Sequence, residues 1–366
     1  MTRRIHVALA GLGFGAEFIP IYQAHPDAEL VAVCRRNEDS LREIADRFDV
    51  PGRYASFDAL LKDPDVDAVH INTPIPDHAA QSIAALRAGK HVACTVPMAT
   101  TLEKCHAIVA AAREAGRNYM MMETVVYSRE FLHVRDLVDE GTIGRIQFLR
   151  GAHHQEMAGW PGYWEGLPPM HYATHAVSPV LTLGGALAES VVCEGSGRIS
   201  DDLAGRYGSP FAVESALITL RDSVARAEVA RSLFETARGY VESFTVFGDR
   251  ASFEWEQTQG AGHVLHVGAH PKRVEVPDFA HRLPVEIARF TTGGVYDDDN
   301  QHLSFIQGSG HGGSHPHLVH EFVRSIVEER PAAIDAVTAA NWTAVGICAH
   351  ESAMRGGVRV AIPDFA

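Results

Sequence analysis

Residues 5–16, Ile-His-Val-Ala-Leu-Ala-Gly-Leu-Gly-Phe-Gly-Ala, constrain the fold of this chain more than any other stretch. They run apolar and strand-like to Ala10, break into glycines, and give way to a helical pattern over 17–24. Gly11, Gly13 and Ala16 fit G-x-G-x-x-G/A, with Phe14 and Gly15 completing the loop. Gly11 permits the tight turn, Gly13 removes the Cβ that would strike a phosphate, and Ala16 is small enough for a helix to sit against the strand. The helix N-terminus then faces the anion. Strand, loop and helix in this order predict a bound dinucleotide.

Residues 1–124 go on alternating. Further strands are expected at 30–34, 68–72, 91–94 and 118–122, with helices at 40–48, 77–88 and 102–115. Gly89 and Gly116 fall just after helices, where a left-handed cap is needed. Such alternation means a doubly wound parallel sheet with right-handed crossovers, and ligands at the carboxyl ends of its strands. After residue 124 the pattern changes. A helix at 130–140 leads into strand-like runs at 145–154, 188–194, 214–221, 225–234, 241–247 and 251–255, and 259–278 reads as hairpin and loop. Strands in succession with few helices predict an α+β domain with an open, largely antiparallel sheet. A helix over 337–354 and a short strand over 358–363 end the chain. The expected class is α/β, with domains at 1–124 and 125–366, in keeping with a length of 366 residues.

A net charge of −14 argues against nucleic acid and against an anionic membrane surface, both of which require a basic face. It disfavours a polyanionic substrate too, and suits a neutral saccharide or polyol. No apolar run reaches spanning length, and Met1-Thr2-Arg3-Arg4 leads straight into a strand. Cys34, Cys94, Cys105, Cys193 and Cys348 are scattered and make no C-x-x-C pair, so reduced thiols in a cytoplasmic protein are expected.

The second strand ends in Cys34-Arg35-Arg36-Asn37, with no acid to take the ribose hydroxyls of NAD. Arg35 and Arg36 suit a 2′-phosphate, which favours NADP; two solvated surface arginines are the alternative. Next come the loop Asn72-Thr73-Pro74-Ile75-Pro76-Asp77-His78 and the run Gly89-Lys90-His91-Val92-Ala93-Cys94-Thr95-Val96-Pro97-Met98-Ala99-Thr100-Thr101. Together with the glycine loop these resemble the glucose–fructose oxidoreductase and inositol dehydrogenase family (Gfo/Idh/MocA). Its pattern is a glycine loop, T-P-x-x-x-H, then G-K-H-V followed by E-K-P. The resemblance implies a Rossmann domain holding NAD(P) among Asn72, Thr73, Pro74, His78, Thr95, Val96 and Pro97. The family's lysine assists proton transfer beside the nicotinamide; Val96 stands in its place and can do no acid–base work. V-P-x-A-T-T is similar instead to the family's NAD-dependent glycosidase branch, typified by α-N-acetylgalactosaminidase. So is Met120-Met121-Met122-Glu123-Thr124-Val125-Val126-Tyr127-Ser128-Arg129, with Thr124 where that branch has asparagine. Glu123 would then face the nicotinamide or its ribose, the alternative being an acid favoured by a helix N-terminus.

In the second half, Gly159-Trp160-Pro161-Gly162-Tyr163-Trp164 is an aromatic loop suited to stacking on a sugar ring or to core packing. Tyr172, Thr174, His175 and Pro179 match the branch's Y-x-T-H-x-x-x-P helix start. Tyr172 and His175, three apart, would share one helical face and serve hydride and proton transfer at a carbinol. His171 and His175 also have a metal-ligand spacing, and His311, His315, His317 and His320 crowd the tail. No cysteine or carboxylate set completes a site, so no metal is expected. The resemblance further implies that the antiparallel sheet covers the cofactor on one face and often pairs with another subunit on the other. Since no helix of the second half is evidently available to cover that face, a homodimer or homotetramer packed by residues 145–255 is expected. The expected activity is an NAD(P)-dependent oxidoreductase acting on a hydroxyl of a sugar, glycoside or polyol. The other readings are a redox-neutral glycosidase with resident nicotinamide, a dinucleotide sensor without catalysis, and a metal-assisted lyase.

Overall fold

A computed structural model describes residues 4–292 and 309–366. The chain forms two units, one of residues 1–99, 103–128 and 278–340, the other of 100–102, 129–277 and 341–366. The first break falls near the expected boundary at 124, but residues 278–340 return to the first unit. An amphipathic pattern announces that a helix buries one face and does not say against which sheet.

The first unit alternates β1 (Ile5–Ala10), α1 (Ile19–Ala24), β2 (Ala28–Cys34), α2 (Glu38–Arg47), β3 (Gly52–Tyr54), α3 (Phe57–Leu61), β4 (Ala68–Ile71), α4 (Ile75–Arg87), β5 (His91–Cys94), α5 (Leu102–Ala115) and β6 (Tyr119–Met121). All six strands are parallel, in the order β3-β2-β1-β4-β5-β6. The order reverses between β1 and β4, so the ligand crevice lies at their carboxyl ends. Gly11 and Asn72 meet there, and the Asn72 N–H donates to the Ala10 carbonyl at 2.7 Å. Gly11 has φ of 89°, and a Cβ on it would collide with the Asn72 carbonyl oxygen. β3, with the sequence Gly-Arg-Tyr, offers no apolar run and was not expected. The helix expected over 17–24 also differs: a 3-10 turn at Phe14–Phe18 precedes a short α1. Pro20 has no N–H to give the Ala16 carbonyl, which takes the Ile19 N–H instead and tightens the turn.

The second unit continues with α6 (Arg129–Asp139), β7 (Ile146–His154), α7 (Thr174–Gly184), β8 (Ala188–Ser196), α8 (Asp201–Tyr207), β9 (Val213–Leu220), β10 (Arg226–Ser232), β11 (Val241–Gly248), β12 (Ala251–Glu254), β13 (His263–Val267) and β14 (His270–Val274). The chain then passes through α9 (Val285–Ala288) and α10 (Ser309–Val327) of the first unit to α11 (Ala336–Met354), which joins the second unit from Asn341 on, and β15 (Val360–Ala361). Nine strands form one sheet in the order β14-β13-β12-β11-β7-β10-β9-β8-β15, antiparallel throughout except for the β7–β10 pair. Along β7 the residues alternate, with Leu149, Gly151 and His153 on the buried face that carries α7. A Cβ on Gly151 would strike the Ala176 carbonyl, and one on Gly346 of α11 would strike the Met170 carbonyl. Two glycines thus let strand and helix approach the backbone around residues 170–176. Among the described residues no helix is long and apolar enough to cross a membrane.

Candidate active site

The glycine loop of the first unit is shaped for an anion. A Cβ on Gly13 would meet nothing within 4 Å, so space lies open above the loop. Gly15 abuts the Leu9 and Asn72 side chains, where even a methyl group would collide. The Asn72 amide is buried, and neither its oxygen nor its nitrogen has a hydrogen-bond partner. Arg35 is half-buried and donates to the Leu12 carbonyl at 3.5 Å, whereas Arg36 is exposed. Asn37 caps α2 by accepting the Ser40 N–H at 2.9 Å. Open space over Gly13, an unsatisfied amide at the switch point and a cation at the end of β2 all fit a dinucleotide.

Behind this loop lies an aromatic cluster that sequence reasoning missed. Phe14 meets Phe18, His311 and His315 edge-on, at ring-centroid distances of 5.5, 6.0 and 5.5 Å. His315 Nδ1 stands 3.2 Å from Glu17 Oε2, and both side chains are buried. Burial pushes the Glu17 carboxyl up to about 9, with His311 opposing it, so Glu17 holds its proton at neutral pH. His320 pairs with His25 at 3.0 Å. The described tail histidines therefore pack the first unit, and α10 brings Leu318, Val319, Phe322 and Val323 into its core. Among the described residues no group of three or more His, Cys, Asp or Glu could hold a metal ion.

His78 joins the two loops that follow β4 and β5. Its Nε2 lies 2.7 Å from the Thr73 carbonyl and its Nδ1 2.8 Å from the Pro97 carbonyl. Carbonyl oxygens only accept, so both ring nitrogens donate and the ring is an imidazolium. Burial alone would lower the pKa of His78, but Cys94 and the two carbonyls outweigh it and raise it to about 9. Thr73 donates to Gln81 Oε1 at 2.6 Å, Pro74 precedes α4, and Thr95 donates to the Ile71 carbonyl at 3.2 Å. Val96 is buried. Glu123 is fully buried, and one of its oxygens accepts the Val125 N–H at 3.1 Å, which ties it to the 3-10 turn Val125–Tyr127.

The second unit supplies the other chemistry. Tyr172 ends a 3-10 turn (Pro169–Tyr172) and His175 is the second residue of α7, so they do not share one helix as expected. They meet nonetheless, with Tyr172 Oη 3.3 Å from His175 Nε2. Around them stand residues that the sequence reading passed over: His153 on β7, Arg231 on β10, and Tyr240 and Glu242 at the start of β11. The His153 ring centroid lies 4.9 Å from that of His175 and 5.3 Å from that of Tyr240. Glu242 Oε1 is 3.9 Å from His175 Nδ1, and Tyr240 donates to Glu242 Oε2. Arg231 is fully buried. It donates to the carbonyls of Tyr172 (2.9 Å), His153 (2.8 Å) and Ser232 (3.0 Å) and to Gln155 Oε1 (3.2 Å), with its guanidinium carbon 5.3 Å from the Tyr172 ring. Burial pushes its pKa down to about 10, with Tyr172, Tyr240 and Glu242 pulling upward. A signal was available: Arg231 falls on the buried phase of β10, with Ala227 and Val229.

The segment before Tyr172 is anchored separately. Glu214 on β9 is fully buried, accepts the Met170 N–H at 2.8 Å and faces His350 Nδ1 at 2.7 Å. His171 turns to His350, ring centroids 5.0 Å apart, and burial lowers its pKa to about 3, His350 adding to the effect. His171 and His175 thus engage different partners. In the aromatic loop, Trp164 packs edge-on against Tyr172 at 4.7 Å, and α8 holds the loop through Arg206–Glu165 (2.9 Å) and Tyr207 Oη to the Tyr163 carbonyl (2.7 Å).

Residues 5–123 match the oxidoreductase family with an NAD-binding Rossmann fold, GFO_IDH_MocA, and residues 300–366 match the C-terminal domain of glycosyl hydrolase 109. Residues 5–123 therefore carry the NAD-binding Rossmann domain of the Gfo/Idh/MocA oxidoreductase family. A glycosyl hydrolase family 109 protein of Saccharopolyspora erythraea is 25% identical over 99% of this chain and 83% of that relative. A 1-carboxy-3-chloro-3,4-dihydroxycyclohexa-1,5-diene dehydrogenase of Comamonas testosteroni is 31% identical over 40% of this chain and 37% of its own length, so that match spans less than half of either protein. The solved structure of levoglucosan dehydrogenase, in complex with NADH and levoglucosan, is similar with a TM-score of 0.81 and 21% identity, over 99% of this chain and 100% of that one. The matched domain is that of an NAD-binding oxidoreductase family, and valine stands at position 96, where the resemblance places the lysine of the E-K-P motif.

The charge on His78 has a measurable consequence. A histidine whose folded pKa stands near 9 stabilises the fold fully below its unfolded value of about 6.5, and that contribution is lost as pH rises through about 9. Glu17 acts in the same direction. The melting temperature should therefore fall between pH 6.5 and 9 more steeply in the native protein than in His78→Gln. Equal slopes in calorimetric scans of the two would exclude the imidazolium.

Proposed function

We propose that the chain oxidises a ring or chain hydroxyl of a saccharide or polyol, with the dinucleotide held by Gly11, Gly13, Phe14, Gly15, Ala16, Asn72 and the loops at Thr73–Pro74 and Thr95–Pro97. The observation that carries this reading is the Tyr172–His175 pair, 3.3 Å apart, in a chain whose position 96 has no ionisable group. The bound nicotinamide supplies the hydride acceptor. His175 Nε2 takes the hydroxyl proton, directly or through the Tyr172 phenol, as the carbon–hydrogen bond of the carbinol breaks and the ketone forms. Trp164, packed against Tyr172, helps to wall off the site from water. Levoglucosan, the sugar bound by the similar dehydrogenase, is of the substrate class this reading implies.

The resemblance to glycosyl hydrolase 109 over residues 300–366, and to its member across nearly the whole chain, supports a second reading. Oxidation at sugar carbon 3 acidifies the proton on carbon 2, its removal expels the aglycone from carbon 1, water adds, and the hydride returns. A panel of polyols, sugars and nitrophenyl glycosides, read for reduced nicotinamide and for free aglycone together, separates the two. Net reduction marks the first, aglycone without reduction marks the second, and neither signal across the panel overturns both. On the substrate so found, His175→Ala should lower turnover by ~10²–10⁴-fold while dinucleotide binding holds. Full turnover in that variant would remove the pair from the mechanism.

The cofactor we propose is NADP, supported by Arg35 beside the glycine loop and by the lack of an acid at the end of β2. Calorimetry should find NADP bound at least tenfold tighter than NAD, and Arg35→Asp should reverse the order; equal or tighter binding of NAD by the native protein would refute it.

We also propose a homodimer or homotetramer. The sheet face away from α7 carries an open groove of about 380 Å³, lined among others by Arg150, Glu228, Thr245 and Phe247, and apolar members beside charged ones suit a face shared between subunits. Light scattering at micromolar concentration should report at least twice the 39.8 kDa chain mass, and a monomer would sink this.

A further inference from the structure

We propose that Glu242 is the positioning residue for His175: its carboxylate, facing Nδ1 across 3.9 Å, favours a proton on that nitrogen through its charge and leaves Nε2, on the Tyr172 side, as the basic nitrogen. The proposal rests on the reading above, since it concerns the same proton. Its basis is geometric. Glu242 Oε1 faces His175 Nδ1 at 3.9 Å, and Nε2 faces Tyr172 Oη at 3.3 Å, so the two ring nitrogens have distinct neighbours on opposite edges. The His175 and Glu242 side chains are 3% and 9% exposed, which leaves little water to screen their attraction.

Two neighbours favour an ionised Glu242, and two more complete the described surroundings of the ring. From β10 comes the buried guanidinium of Arg231, which needs a negative neighbour and has only carbonyls and an amide as direct acceptors among its described hydrogen bonds. From the start of β11, Tyr240 donates its hydroxyl to Glu242 Oε2. From β7, His153 packs edge-on against His175, ring centroids 4.9 Å apart. From its own segment, Tyr172 lies at the Nε2 edge. A carboxylate at Nδ1 fixes the tautomer and stabilises the imidazolium once Nε2 has taken the proton from the substrate hydroxyl. In balance, the hydroxyl proton would pass to Nε2, a dinucleotide held by the glycine loop would supply the hydride acceptor, and Glu242 would keep its charge. Proton transfer then proceeds without a lysine at position 96.

The test uses the whole protein, ¹⁵N-labelled, with the His175 ring signals identified by their loss in His175→Ala. The ring should be the Nδ1–H tautomer when neutral, and its titration midpoint should fall by about 1 pH unit in Glu242→Gln. Tyr240→Phe, which takes a hydrogen bond from the carboxylate and so concentrates its charge, should move the midpoint up; it serves as the readout should Glu242→Gln fail to fold. On a substrate, Glu242→Gln should lower kcat about 10–100-fold with dinucleotide affinity unchanged, and the acid limb of the pH–rate profile should move to lower pH along with the ring titration. A purely structural role would lower the plateau and leave that limb in place. An Nε2–H tautomer, or a midpoint unmoved in both variants, would overturn the proposal. Coupled titration in a protein inactive on every saccharide would instead overturn the proposed function and leave the Glu242–His175 pairing intact.

Discussion

A guanidinium closed off from solvent is the constraint on which the second unit depends. Removing Arg231 from water costs several kcal/mol unless its donors are all satisfied and its charge is answered nearby. The chain meets this with the carbonyls of Tyr172, His153 and Ser232 and the side chain of Gln155. Those acceptors come from β7, from the end of β10 and from the turn before α7. The pairing of β7 with β10, the one parallel pair in an otherwise antiparallel sheet, is what brings the first two together. Once the arginine is seated, the backbone of Tyr172 is fixed from below, and Glu214 fixes Met170 two residues earlier through its buried carboxylate. The tyrosine that faces His175 therefore owes its place to two buried charges on neighbouring strands rather than to a continuous helix.

The first unit shows the complementary arrangement, in which protonation is set by the available partners. His78 is given two carbonyl acceptors and keeps a charge in the interior, whereas Glu17 is given an imidazole and apolar rings and keeps its proton. Both lie next to loops of the dinucleotide crevice. Neither residue type announces its charge state in a sequence, because the partners that decide it arrive from other loops.

How much was legible follows from the range of the interactions involved. The parallel sheet could be read because each of its central strands is a short, nearly continuous apolar run between glycine- or proline-marked turns, and the glycine loop because Gly11 has a backbone that other residues resist. β3 escaped because an edge strand needs only backbone pairing, here to residues 32–34. The nearness of His175 and Tyr172 was legible in the local pattern around them, although the helix expected to join them is broken at Ala173. The contacts of Glu242, Arg231 and His153 with this pair were missed because they depend on which strands adjoin, and strand order is not a local property. One clue did lie in the sequence: Arg231 and Glu214 occupy inward phases of alternating strands, where a charge is costly and so needs a reason.

The return of residues 278–340 to the first unit has a consequence for how the chain is made. The aromatic backing of the glycine loop, His311 and His315 against Phe14, is separated from it by nearly the whole length of the protein. At synthesis rates of roughly 5–20 residues per second, the opening strand waits on the order of tens of seconds for α10 to leave the ribosome. Until then Phe14 lacks its histidine partners, Phe18 has only His70, and Glu17 lacks its imidazole. The backing of the glycine loop is thus incomplete while residues 129–277 of the second unit are being synthesised, and the first turns of α10, rather than the motif that opens the chain, complete it.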